Sequence, residues 1–341
     1  MSIRFESISG RSLDTLLERK TSPVRAIPTP FPGWNAVCGE EGGRKGLARG
    51  WLCTIGGVTG TGKSYLAANL ASRAVHAGKR VGIINFEMSF MGVATRFLSI
   101  LTGVPKWQLE MGPHFSAEAW LQAKKIAEDI QAETGGVMVT NESNVFDIRD
   151  IEESFRQLTD AGVGMIVVDY AQLVTVPGTD GIYQRSETVA NRLRDLTHEY
   201  DVVTVPLSQF NREEARRNKR PSKFGLLGGG IWEHASNQIW LLNHTLRYRY
   251  GDDGSGRPLG EFTELICDKN RHGMEIDLKL QWDYETMRFS EVLDPEALTH
   301  DHPFVEEGSQ AVVVDAPRAE PQRDPMVRDM FVDDNQEERY E

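Results

Sequence analysis

No run of about 18 apolar residues occurs in this 341-residue chain, so no membrane-spanning helix is expected. The opening stretch, MSIRFESISG, lacks a basic segment followed by an apolar one, so no secretory signal is expected. Cysteine is scarce. Cys38, Cys53 and Cys267 are odd in number and irregular in spacing, which suits neither a disulfide framework nor a zinc site. Reduced thiols in a cytoplasmic protein are the expectation. Also missing is any excess of positive charge: the net charge is −12. An acidic balance argues against a nucleic-acid partner, but this one is unevenly spread. Residues 301–341 hold twelve acids and four arginines, a net −8, which leaves −4 for the first 300 residues.

What is present is an ordinary globular composition, 40% hydrophobic and 26% charged. From about Trp34 to Arg288, short apolar runs alternate with helical stretches. Candidate strands are WLCTIGG, VGIINFE, MIVVDY, VVTVPLS, IWLLNH and ELICDK. Between them, KSYLAANLASRAVHA, SAEAWLQAKKIAEDIQAE and SETVANRLRDLTHEY have helical periodicity. This alternation predicts an α/β fold with a mainly parallel twisted sheet and helices on both faces. Ahead of it, SLDTLLERK sets Leu13, Leu16 and Leu17 at helical spacing, and the proline-rich SPVRAIPTPFPG reads as an extended linker. The expected division is an arm at 1–27, an ATPase domain at 28–298, and an acidic, disordered tail at 299–341.

One motif is specific. Gly57-Val58-Thr59-Gly60-Thr61-Gly62-Lys63-Ser64 is a full G-x-x-x-x-G-K-S that follows an apolar strand and opens a helix. Its glycines let backbone N–H groups wrap phosphate oxygens, and the new helix adds its positive end. Lys63 is expected at the β- and γ-phosphates of ATP, Ser64 on Mg²⁺, and Tyr65 beside the nucleotide. A second metal contact is expected at Asp169, which ends GMIVVD. In parallel sheets, ligands sit beyond the carboxyl ends of the strands. IINFEMS places Glu87 there, where a carboxylate would orient and deprotonate a water attacking the γ-phosphate. VVTVPLSQFNR ends a further strand in Gln209, whose amide can bond that phosphate and sense its loss.

The ordered set GVTGTGKS, NFEMS, VVDYAQL, LSQFNR and DKNRHG resembles the RecA-type motor domain of DnaB-family replicative helicases, over roughly residues 28–290. The resemblance implies a RecA-like P-loop NTPase that hydrolyses ATP with Mg²⁺. Glu87 then matches the family's catalytic glutamate, Lys63 and Ser64 the phosphate-loop pair, Asp169 the metal aspartate and Gln209 the sensor. In CDKNRHG, Lys269 and Arg271 take the positions of a lysine and an arginine that reach into the next subunit's nucleotide. A site completed by a neighbour requires a homo-oligomer, and the family forms six-membered rings. The resemblance also implies that the helix at 12–20 packs on an adjacent motor domain.

The resemblance further implies two loops that grip single-stranded DNA, at about 176–186 and 212–231. REEARRNKRPSK carries Arg212, Arg216, Arg217, Lys219, Arg220 and Lys223 against two acids, and GLLGGG then offers mobile backbone amides, with Gly229 and Gly230 at its end. Arg185 closes the first loop. Cations and bare amides suit a sugar–phosphate strand. Two departures from the family stand out. Leu227 and Gly228 occupy positions where the family has charged residues, and only about 27 residues precede the motor domain, so the family's amino-terminal collar is not expected. The expectation is an ATP-dependent helicase or translocase of a phage, plasmid or mobile element, with a loader or another replication protein as a further partner. The alternative is an ATP-switched assembly or regulatory ATPase related to KaiC or RadA, without unwinding activity.

Overall fold

Alternate residues of the apolar runs feed two separate cores, one on each face of a nine-stranded sheet. A computed structural model of the chain describes residues 26–38, 40–41, 44–110, 117–140, 147–211, 220–243 and 263–292. All of them belong to the first of two units into which the chain divides, Met1–Phe304; the second, Val305–Glu341, contains no described residue. The expected helix at 12–20, the tail at 299–341 and the cations at 212–219 lie outside the described residues.

A two-residue ladder of β1 (Glu40–Glu41) with β2 (Arg44–Lys45) precedes the main sheet. The sheet contains β3 (Cys53–Gly57), β4 (Arg80–Asn85), β5 (Val137–Val139), β6 (Val163–Asp169) and β7 (Val203–Gln209). It continues with β8 (Gln238–Asn243), β9 (Thr263–Asn270), β10 (Asp277–Asp283) and β11 (Arg288–Glu291). Across it the order is β11-β10-β9-β8-β3-β7-β6-β4-β5. From β8 to β5 all neighbours are parallel; β9, β10 and β11 extend the other edge as an antiparallel meander. The helices are α1 (Pro32–Val37), α2 (Lys63–His76), α3 (Phe90–Thr102), α4 (Lys106–Glu110), α5 (Ala117–Thr134), α6 (Ile148–Asp160), α7 (Ile182–Glu199) and α8 (Gly229–Ala235).

Period-two burial sorts the strands between the cores. Val167, Val205, Leu207 and Leu242 pack with Leu66, Leu70 and Ala74 of α2 and Phe97 of α3. Their strand neighbours Ile166, Val168 and Leu241 face the other way, onto Ile151, Phe155 and Leu158 of α6, Leu193 and Leu196 of α7, and Trp232 of α8. Strands buried on both faces read as continuous apolar runs, as a covered parallel sheet requires. The helix starts are equally local. Ser89 accepts from the Gly92 N–H at 3.1 Å to cap α3. Asp147 and Asp150 form a reciprocal capping box on α6.

The described part of the proline-rich lead-in joins this core. Ile27 bridges to Leu47, and Phe31 and Trp34 are fully buried. Trp34 lies 4.2 Å from Trp240, centroid to centroid, and its indole donates to Gln238 Oε1 at 2.9 Å. Cys38 and Cys53 surround the same amide, and all three thiols are free and buried. Burial pushes the Cys38 and Cys267 thiols up to about 12, which keeps them protonated and unreactive. Trp34→Ala removes a buried ring and orphans the Gln238 carbonyl. It is expected to cost about 3–5 kcal/mol, read as a lower denaturant midpoint in urea unfolding.

Candidate active site

The register of the parallel strands brings four chain ends to one place. Gly57 at the end of β3 lies opposite Gln209 at the end of β7, and Asn85 at the end of β4 lies opposite Asp169 at the end of β6. Beyond these ends opens a cleft of about 240 Å³. Thr59, Gly60, Gly62, Lys63, Ser64 and Tyr65 form one wall, and Glu87, Asp169 and Gln209 contribute the others. The structure thus gathers the cis residues expected from sequence into a single site. Gly57, Val58 and Thr61 brace the loop instead of lining the cleft.

The loop geometry follows from its glycines. Gly60 and Gly62 have φ of 78° and 98°, a region that side chains with a Cβ avoid. The Thr61 hydroxyl donates to the Val58 carbonyl at 2.7 Å and ties the turn. The Lys63 ammonium donates to the carbonyls of Gly57 and Val58, both at 2.9 Å. Burial lowers its pKa from 10.5 to about 8, and the nearby Asp169 and Glu87 carboxylates partly resist that. A buried cation held only by carbonyls is prepared for a stronger anionic partner.

Asp169 is buried, which raises its pKa, while a hydrogen bond from the Ser64 hydroxyl opposes the rise. This hydroxyl–carboxylate pair fits Mg²⁺. That ion keeps several waters and takes few protein oxygens beside substrate phosphates. Ser64 and Asp169 would hold it. Glu87 is fixed by its neighbours. The Asn85 amide closes the turn by accepting from the Met88 N–H at 3.1 Å and donating to the Met88 carbonyl. The Phe86 N–H donates to the Asp169 carbonyl at 2.9 Å. Glu87 itself remains exposed to the cleft. Opposite it, Gln209 hydrogen-bonds the Tyr170 phenol, whose pKa burial raises.

Two features of the site went unread in the sequence. Arg96 of α3 also lines the cleft, 4.5 Å above the Tyr65 ring, and its positive charge acts on Asp169. The only sequence signal was a lone arginine in a helix whose pattern is apolar on most sides. On the outer side, Trp282 and Phe289 of the meander close against Gly62, where a Cβ would meet both rings at 3.2 Å.

The expected trans cations sit far along β9. Lys269 donates to the carbonyls of Glu233 and Ser236, and exposed Arg271 donates to that of His234 at 2.7 Å. The adjacent His272 stacks on Trp51 at 4.2 Å and meets the Asn237 amide at 3.1 Å. Of the expected nucleic-acid residues, Arg212, Arg216, Arg217 and Lys219 lie outside the described residues. Arg220 pairs with Asp277, and Lys223 with Glu233 at 3.3 Å. Arg185 falls in the first turn of α7, half-buried, its Nε without a partner. The mobile backbone expected at 225–230 is instead a buried 3₁₀ end running into α8. Gly225, Leu226 and Gly229 are buried, while Gly230 is open. Gly229 is required by close packing, since a Cβ would lie 2.6 Å from the Lys223 carbonyl. Gly228 rests on Ser186 of α7, so the two expected DNA segments touch.

A parallel sheet with this loop and these strand ends defines a P-loop nucleotide-binding domain of RecA-like fold. The family model for the DnaB-like helicase C terminal domain matches residues 42–291, and the chain belongs to that family, one of ATPases and helicases. A probable plasmid replicative DNA helicase of Chlamydia muridarum is 28% identical over 249 residues, 72% of this chain and 52% of its own length. The replicative DNA helicase DnaB of Geobacillus stearothermophilus is 24% identical over 282 residues, 80% of this chain and 58% of its own. The chain therefore spans about half the length of the curated relatives it matches. Among solved structures, a free-standing ATPase domain superposes with a TM-score of 0.72 at 19% identity, covering 85% of this chain and all of that one. A DnaB-like replicative helicase, solved in a study of its interactions with primase, gives 0.70 at 18% identity, covering 85% of this chain and 68% of that one. No helix among the described residues is long and apolar enough to cross a membrane.

Because the folded pKa of Lys63 lies below its unfolded value, the folded state binds fewer protons between pH 8 and 10.5. Nucleotide-free wild type is therefore expected to gain roughly 2–3 kcal/mol over Lys63→Met as pH rises through that window, measured by chemical unfolding of both proteins. An unchanged difference would mean the ammonium is not buried.

Proposed function

We propose that this chain is the ATP-hydrolysing motor of a ring that moves along single-stranded DNA and separates duplex strands. The observation that carries the reading is the meeting of Lys63, Glu87, Asp169 and Gln209 in one cleft. Lys63 exchanges its loop carbonyls for the β- and γ-phosphates. Glu87 orients the attacking water and takes its proton. Gln209 donates to a γ-phosphate oxygen and registers its departure through the Leu227 N–H, which donates to the Gln209 carbonyl at 2.9 Å. Magnesium, when bound, neutralises charge that develops on the phosphates. Arg271 of a neighbour supplies the remaining cation; such fingers raise rates about 10³–10⁵-fold in known NTPases. Family membership and the names of the relatives, replicative DNA helicases, support DNA as the polymer and a six-membered ring as the assembly.

A second reading, an ATP-switched assembly without unwinding, draws on one observation. The described cations on the expected DNA side, Arg220 and Lys223, are already paired with Asp277 and Glu233. ATPase assays separate the two. Single-stranded DNA is expected to stimulate hydrolysis severalfold; a rate unmoved by DNA favours the switch. Mixing inactive Arg271→Ala and Glu87→Gln subunits is expected to restore part of the hydrolysis, because each Arg271→Ala site then gains an intact neighbouring arginine. No recovery at any ratio would contradict a shared site.

A further inference from the structure

Lys269 and Arg271 both end on one short helix. The Lys269 ammonium donates to the carbonyls of Glu233 and of Ser236, the latter at 2.8 Å. The Arg271 guanidinium reaches the His234 carbonyl at 2.7 Å. The last carbonyls of a helix have no partner within it, and cations there also meet the negative end of its dipole. The helix, α8, has seven residues, too few to hold together through its own hydrogen bonds. It begins directly after Leu227 and Gly228, and Gly229 is wedged against the carbonyls of Lys223 and Phe224. Wherever α8 goes, the segment Leu227–Gly230 goes with it.

The two cations are not equivalent. They share a face of the strand with Cys267, and exposure rises along it: Cys267 is buried, Lys269 half-buried, Arg271 exposed. Lys269 pairs with Ile239 inside the ladder, whereas Arg271 lies beyond Asn270, the last strand residue. Arg271 can swing outward at the cost of one carbonyl bond. Lys269 would abandon two carbonyls, and a lost partner at a buried group costs more than an average hydrogen bond contributes. Burial, with Arg271 and Lys223 nearby, already lowers the Lys269 pKa to about 8, so its ammonium is held where cations are disfavoured.

We propose that Lys269 is a positioning residue acting within its own subunit: its ammonium locks α8, and with it Leu227–Gly230, and leaves Arg271 as the cation offered to a neighbour. This differs from the trans role that family resemblance implies for the lysine. It rests on the proposed function only for the meaning of the DNA readout; the lock itself is a property of the single subunit.

Hydrogen exchange on the nucleotide-free full chain tests the lock without reference to DNA or assembly. In Lys269→Met, amides of residues 230–236 are expected to exchange about tenfold or more faster than in wild type, the order of effect for losing a partly buried charged cap. Lys269→Arg, which can still donate to both carbonyls, is expected to retain protection, and the amides of β3 and β6 are expected to stay unchanged in both. In a second arm, Lys269→Met should bind single-stranded DNA about tenfold more weakly with an unchanged KM for ATP. Equal protection of 230–236 in Lys269→Met and wild type would overturn the proposal, as would a KM for ATP that rises as much as the DNA Kd. If wild type binds no DNA while the exchange result holds, the proposed function fails and the lock stands.

Discussion

The hydrogen-bond register of the parallel strands is the constraint from which the site follows. Gly57 opposite Gln209 and Asn85 opposite Asp169 put the phosphate loop, the sensor amide, the metal carboxylate and the Glu87 turn at one edge of the sheet. A slip of one residue in any ladder would turn that strand's side chains to the opposite core, so the two packed faces enforce the register. The core therefore does more than hold the protein together. Ile166 against α6 and Val167 against α2 are also what keeps Asp169 within reach of Ser64.

The cleft stores unfavourable electrostatics in the absence of ligand. Lys63 is buried against carbonyls, and Asp169 is buried beside the charge of Glu87. Each is perturbed by desolvation and by its neighbours, a pattern that clusters at functional sites. A magnesium triphosphate would relieve both at once, giving the cation an anion and the carboxylate a metal. Binding is then coupled to the loop that senses it, because the Gln209 carbonyl is already tied to Leu227.

Much of this was legible in the sequence. The strands ending at Gly57, Asp169 and Gln209 are continuous apolar runs stopped by a polar residue or a glycine turn, a signal that survives without tertiary information. The phosphate loop was readable because its glycines have backbone duties no other residue can perform. The failures have physical causes. β5 is three residues long and β11 four, too short for periodicity to register. The polar helix α6 buries only Ile151, Phe155 and Leu158, and α3 is apolar on most sides, so neither presents a clean stripe. Lys269 was the subtler case. A lysine near a strand end reads as a free cation, and nothing local reveals that a helix much earlier in the chain presents its last carbonyls to it. The glycines at 228–230 likewise read as mobile, whereas Gly229 is there to let α8 approach Lys223 and Phe224.

The central claim is that these strand ends form a working triphosphate site in which Glu87 activates water. Single-turnover hydrolysis of ATP by Glu87→Gln, with nucleotide affinity measured in parallel, tests it most directly. The account predicts affinity within a few-fold of wild type and a hydrolysis rate at least about a hundredfold lower, the usual scale of general-base catalysis. Hydrolysis at the wild-type rate, or loss of nucleotide binding with the chemistry per bound ATP unchanged, would contradict it.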